Sequence, residues 1–128
     1  MRVFYLSVLA GILAAGAAPA GCPETTPSIE RWNILEGDKR VNSAWLQEYL
    51  AGRRVKYEPS GTEYYQEDGS YAWRDGSQIW NAPSYKFYDS GFRCIDYPDP
   101  RFDLYVVSDG HLVLINSGGS RYVGKILK

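Results

Sequence analysis

Glu58, Glu63, Glu67, Asp68, Asp75, Asp96, Asp99 and Asp103 are the side chains whose type and number could do chemistry. Two carboxyls held about 5–10 Å apart can hydrolyse a glycosidic bond, one as acid and the other as base or nucleophile. Most of these acids read otherwise. Glu67-Asp68 and Asp75 fall in turn sequences, and Glu58 and Glu63 read as solvated charges facing each other near a hairpin. Asp96 is the exception. In Arg93-Cys94-Ile95-Asp96-Tyr97 it keeps phase with Phe92 and Cys94. With that face inward, Asp96 is a buried carboxylate that requires a partner such as Arg101. One acid alone defines no reaction, so a hydrogen-bonded structural role outweighs a catalytic one. A weak glycoside hydrolase using Asp96 is the least favoured function.

Other chemistries fail on their residue sets. His111 is the single histidine and sits in the turn sequence Asp109-Gly110-His111. One histidine and two distant cysteines do not supply the spaced ligands zinc needs. A Ser-His-Asp triad would have to use His111, and no Gly-x-Ser-x-Gly elbow exists. Ser108, Ser117 and Ser120 are turn serines, and Cys94 sits mid-strand. The expectation is a non-enzymatic protein with no metal and no cofactor. At 128 residues the chain is one domain, too short for a Rossmann or TIM-barrel enzyme. Its 14 basic against 15 acidic residues argue against nucleic acid as a partner.

The unusual resource is aromatic. Tyr, Trp and Phe make up 15% of the chain, with 11 Tyr and 4 Trp. They concentrate between residues 57 and 97. Aromatics favour strands and fill small barrels. Tyr is also favoured where one end is apolar and the other wet, as at interfaces and pocket mouths. Tyr64, Tyr65, Trp73, Trp80, Tyr85 and Tyr88 are therefore the candidate contacts to a ligand or partner. Tyr64 and Tyr65 are adjacent, so one must point outward from a strand. Arg53, Arg54 and Lys56 read as a solvated face.

An address precedes the domain. Arg2, an uncharged apolar run from Val3 to Ala18 and the small-residue end Ala18-Pro19-Ala20 form the secretory signal pattern. Residues 1–20 are read as that signal, with a periplasmic or secreted destination. Cys22 then has two fates. It pairs with Cys94, as an even cysteine count in a small exported domain suggests. Alternatively, Ala20-Gly21-Cys22 ends a partial lipobox, with Pro19 where Leu is usual, and Cys22 carries a lipid anchor. No second apolar run follows, so no transmembrane span is expected in the mature chain.

The remaining elements must position these residues. Residues 21–41 read as an irregular arm. Trp45, Leu46, Tyr49 and Leu50 share one helical face over 43–51, with Asn42 or Ser43 as N-cap and Gly52 as the stop. From Arg53 the period becomes two, with Asp68-Gly69, Asp75-Gly76 and Asp109-Gly110 as hairpin signals. Phe102, Leu104 and Val106 share the buried face of one strand, with Asp103 opposite. Val107, Val113, Ile115, Val123 and Leu127 in the last strands require a cover, for which the helix is the evident candidate. The fold class is mainly β: a small antiparallel up-and-down barrel of about eight strands with one short N-terminal helix, over 42–128.

Leu50-Ala-Gly-Arg53 entering a strand, Gly69-Ser70-Tyr71, Gly91-Phe92-Arg93-Cys94, and Gly119, Arg121 and Tyr122 carry a resemblance. The chain resembles the small secreted lipocalin-like, or calycin-type, barrels and an uncharacterised exported proteobacterial family. The lipocalin Gly-x-Trp entry is absent, since Arg53 and Arg54 follow Gly52. The resemblance implies a closed barrel and brings no functional residues with it. The expected function is a binding module. A protein partner is favoured over a small amphipathic ligand, because large Tyr and Trp side chains leave a barrel of this size little internal room. The alternative is an inhibitor of a secreted protease or lysozyme, with the arm projecting into its cleft.

Overall fold

The computed structural model describes residues 21–128; the signal expected at 1–20 lies outside the described residues. A short 3-10 turn at Ile29–Arg31 and strand β1 (Asp38–Arg40) precede helix α1 (Ser43–Leu50). Then come β2 (Arg54–Tyr57), β3 (Thr62–Tyr65), β4 (Tyr71–Asp75), β5 (Gln78–Ala82), β6 (Tyr85–Phe87), β7 (Phe92–Ile95), β8 (Arg101–Ser108), β9 (His111–Ile115) and β10 (Arg121–Leu127).

All pairings are antiparallel, and the path β5-β4-β3-β2-β10-β9-β8-β7-β6 is a sequential meander joined to itself by one ladder. That ladder pairs β10 with β2, Gly124 facing Tyr57 and Ile126 facing Val55. The seam falls instead between β5 and β6, which are adjacent in sequence but unpaired. The mainly-β class therefore holds, while the closed eight-stranded barrel does not. Nine strands curl into an open barrel, and β1 pairs with β8 as a tenth. Local chemistry accounts for the opening. Pro83 follows β5 with no N–H to give a ladder, and β6 is only three residues long.

Helix α1 forms as its sequence dictates. Asn42 Oδ1 accepts from the Trp45 amide at 2.9 Å, and Leu46 and Leu50 are fully buried one turn apart. They join Val55, Tyr57, Tyr65, Tyr71, Tyr105, Leu112 and Leu114 in the barrel interior. Gly124 is a requirement of that interior, since a Cβ there would lie 2.7 Å from Val55 and 2.8 Å from Tyr57.

The helix is not the cover of the outer apolar face, contrary to expectation. The arm is. Trp32, Tyr88, Phe92, Cys94, Leu104, Val106, Val113 and Ile115 form a second buried cluster on the outside of β7, β8 and β9. Ile29, Ile34 and Cys22 of the arm pack onto it. Trp32 meets Phe92 edge-on at 4.9 Å. Asp38 grips Arg121 through two bonds of 2.8 and 2.9 Å. Val107 turns to the interior cluster, and Val123 is 58% exposed with no cover.

A Cys22–Cys94 disulfide pins the arm to β7 across 72 residues of sequence. With the sulfur in this bond, Cys22 offers no thiol to a lipid. Closing a loop of that length contributes about 4 kcal/mol on the chain-entropy model. Replacing both cysteines with serine should lower stability by roughly that amount in urea unfolding. A change below about 1 kcal/mol would mean that the arm holds without it.

Candidate functional site

The interior of the barrel contains an ionic centre. β3 alternates with Glu63 and Tyr65 inward and Tyr64 outward. β7 directs Arg93 and Ile95 inward, and β8 directs Asp103 and Tyr105 inward. Glu63, Arg93 and Asp103 are each at most 1% exposed. Three expectations are thereby corrected. Glu63 is buried rather than solvated. Asp103 lies on the interior face, while Phe102, Leu104 and Val106 face the arm. Asp96 keeps phase with Phe92 and Cys94 as read, but that is the outer face. There Asp96 is half-buried and accepts from Ser84 Oγ at 3.2 Å.

Arg93 and Asp103 are direct cross-strand partners, joined at 2.6 Å. Arg93 also donates from Nη2 to Glu63 Oε2 at 2.5 Å and from Nε to Tyr65 Oη at 3.0 Å. Glu63 and Arg93 come from strands on opposite arms of the path, so this bond crosses the barrel interior. Tyr57 and Tyr71 donate to the two Glu63 oxygens at 2.7 and 2.6 Å, and Tyr105 also donates to Oε1. Because the Tyr105 proton is used on Glu63, the 2.5 Å contact between Tyr65 and Tyr105 is a bond donated by Tyr65. Arg93, Tyr65, Tyr105 and Glu63 thus form a closed circuit in which each donor nitrogen and phenol has an acceptor. Outside it, Arg101 spans both Asp103 oxygens at 2.9 and 3.1 Å.

Ionisation follows this wiring. Burial pushes the Glu63 carboxyl up, but Arg93 and the three phenol donors outweigh it and hold the group below the ordinary 4.5. Burial, reinforced by the Glu63 charge, raises the phenols of Tyr57, Tyr71 and Tyr105 well above 10.0. Burial likewise raises Tyr65 well above 10.0. The phenols therefore stay neutral and act as donors. Burial raises Asp103 as well, in spite of its two guanidinium partners.

Above this floor lies a half-open cavity of about 420 Å³. Glu63, Arg93, Tyr57 and Tyr71 form its base, and Trp73, Trp80, Tyr97 and Tyr122 its aromatic walls. Ser60 and Arg101 stand at its polar edge, with Ile95 and Leu114 as aliphatic lining. The expectation of little internal room fails for a specific reason. The tyrosines are bound to Glu63 by their hydroxyls, so their rings stand around the space rather than collapsing into it.

The candidate aromatics divide four ways. Trp73 and Trp80 line the cavity. Tyr65 belongs to the circuit beneath it, and Tyr85 packs on Tyr65 at 4.9 Å. Tyr64 points away from the interior. Tyr88 lies in the outer cluster and donates to the Pro23 carbonyl at 2.6 Å. Sequence reasoning passed over Glu63, Arg93, Arg101 and Asp103 as site residues. A signal existed in the phase of each: Glu63 with Tyr65, Arg101 and Asp103 with Tyr105, and Arg93 within Phe92-Arg93-Cys94-Ile95. Among the described residues no His, Cys, Asp and Glu cluster fits a metal ion, and no helix is long and apolar enough to cross a membrane. No family model, curated protein or solved structure matches the chain.

Arg93→Met should cost about 3–5 kcal/mol in urea unfolding, because it strands the buried Glu63 carboxylate without a cation and leaves Asp103 with Arg101 alone. A loss under about 1 kcal/mol would show that the centre is not coupled to the fold. Acid gives a second readout. A carboxyl lowered in the folded state contributes stability that is present above its unfolded value and lost as pH falls through its folded value. Glu63 should therefore pull the melting temperature down below about pH 4.5 while Asp103, raised in the folded state, acts in the opposite sense, and Glu63→Gln should remove the Glu63 share of the decline. An unchanged acid profile in Glu63→Gln would contradict the assignment.

Proposed function

We propose that this chain is an exported, non-enzymatic binding module that holds a small amphipathic ligand in the barrel cavity. The observation that carries the reading is the cavity itself. About 420 Å³ lies within the range of small-molecule sites, and its lining combines aromatic walls with a few fixed polar groups. Glu63, Arg93, Tyr57 and Tyr71 are held in place by their mutual hydrogen bonds. Kinship with lipocalin-like barrels is part of the proposal, supported by the sequential meander and the single capping helix. Export to the periplasm is supported by the N-terminal signal pattern and by a disulfide, which persists in oxidising compartments.

A protein partner is the second reading. Ile79 and Trp80 are 54% and 46% exposed on β5, the unpaired edge strand beside the seam. Such an edge can pair with an extended segment. Support for a hydrolase inhibitor is weaker, because the arm that would enter a cleft is packed on the outer face.

N-phenyl-1-naphthylamine, a neutral amphiphile, tests the cavity. Its emission should rise saturably on the protein with one molecule bound. Trp73→Ala should weaken binding about tenfold through the lost aromatic contact, while Tyr64→Ala leaves it unchanged. Equal binding by Trp73→Ala and the parent protein would remove the cavity as the site.

A further inference from the structure

The hydrogen-bonding capacity of the cavity is unbalanced, and the imbalance selects a ligand. Each acceptor at its floor is already used. Glu63 Oε1 receives Tyr57 and Tyr105, and Oε2 receives Tyr71 and Arg93. Asp103, behind the floor, receives Arg93 and Arg101. Donors are in surplus. A guanidinium carries five N–H groups in a fixed fork. Asp103 takes the Nε–Nη2 edge of Arg101 and leaves the Nη1–Nη2 edge without a partner among the described residues. The Arg101 side chain is 54% exposed and lines the cavity, within reach of an incoming group. The indole N–H groups of Trp73 and Trp80 can only donate, and neither has a partner among the described residues.

Charge points the same way. Ring faces such as Trp73 and Trp80 attract cations in many sites. Here Glu63 is paired with Arg93, and Asp103 with both Arg93 and Arg101, so two carboxylates and two guanidiniums balance. A cationic ligand would find no unpaired carboxylate. A carboxylate would meet an open guanidinium fork whose geometry it matches in two parallel bonds. The aromatic walls then suit a flat apolar body of roughly bicyclic size.

We infer that the ligand is an aromatic or alicyclic monocarboxylate, its head group on Arg101 at the polar edge and its ring body laid against the wall that the cross-strand neighbours Trp73 and Trp80 form. This rests on the cavity reading above and goes further by fixing the head group. Arg101 makes the specific contact, while Arg93 positions the floor.

Three probes of one body separate the claims: naphthalene-2-carboxylate, naphthalene-2-methanol and (2-naphthylmethyl)trimethylammonium. Each is titrated by calorimetry into oxidised protein produced by export from the full-length sequence. The carboxylate should bind about tenfold or more tightly than the alcohol, as a charge-assisted bond predicts, and the cation most weakly. Arg101→Gln should lower carboxylate affinity about tenfold or more and so abolish the preference over the alcohol. Its circular dichroism should match the parent, since the side chain is half exposed. If the alcohol or the cation binds as tightly as the carboxylate, the head-group inference is overturned and the cavity reading stands. A carboxylate preference that survives Arg101→Gln also overturns it. If none of the three binds, the cavity reading falls as well.

Discussion

The ion pair between Glu63 and Arg93 is the constraint on which the rest of the molecule turns. It links β3 to β7 across the inside of a barrel whose β5–β6 seam carries no ladder. A sheet open at one seam exposes edges and can flatten. Here the two walls are held by a charged bond in a water-poor interior, reinforced by Tyr65 against Tyr85 and Phe87 at 4.9 and 5.5 Å. A buried pair of this kind contributes modest net stability, because desolvation offsets most of its attraction. Its value is geometric. Once formed, it cannot lose one member without leaving an unpaired charge, so the wall spacing is fixed.

The cavity follows from that spacing. Apolar side chains in a barrel of this size would interdigitate and fill it. Phenols committed to a central carboxylate cannot. Tyr57, Tyr71 and Tyr105 converge on Glu63 by their hydroxyls, and their ring orientation is dictated by hydrogen bonds rather than by packing alone. The donor surplus has the same origin. The two carboxylates engage both guanidiniums only in part, and both residues line the cavity. Aromatic abundance, ionic floor and empty volume are thus one arrangement.

Much of the fold is legible in the sequence, and the reasons are local. Asn42 caps α1 because its side chain reaches the Trp45 amide, and Asp-Gly pairs lie at the β3–β4, β4–β5 and β8–β9 turns because Gly accepts positive φ. Illegibility begins where both faces of a strand are buried. In β7 every residue is buried, so Phe92-Arg93-Cys94-Ile95 has no wet face to set its phase. The same holds for the middle of β8, where Asp103 was assigned to solvent because charge normally goes there. The hidden variable was the arm. By covering Phe92, Cys94 and Leu104 from outside, it leaves the charged set as the inner one. The cysteine count leaves Cys22 between a disulfide and a lipid anchor, and only the three-dimensional register shows the bond and its consequence, an arm held along the sheet. Tyr64 and Tyr65 show the limit in small: adjacency demanded that one turn outward, and only the neighbouring Glu63 decided which.

Ionisation of Glu63 is where this account is most directly exposed. If its carboxylate collects Arg93 and three phenols, it must remain charged across the range in which the fold is stable. The carboxyl carbon of Glu63, followed by carbon-13 NMR against pH, reads that state without reference to any ligand. Its midpoint should lie below the ordinary 4.5, with the ring signals of Tyr57, Tyr71 and Tyr105 shifting in step. A Glu63 carboxyl that titrates above 4.5, or takes up its proton without disturbing those rings, would contradict the ionic floor and the cavity built on it.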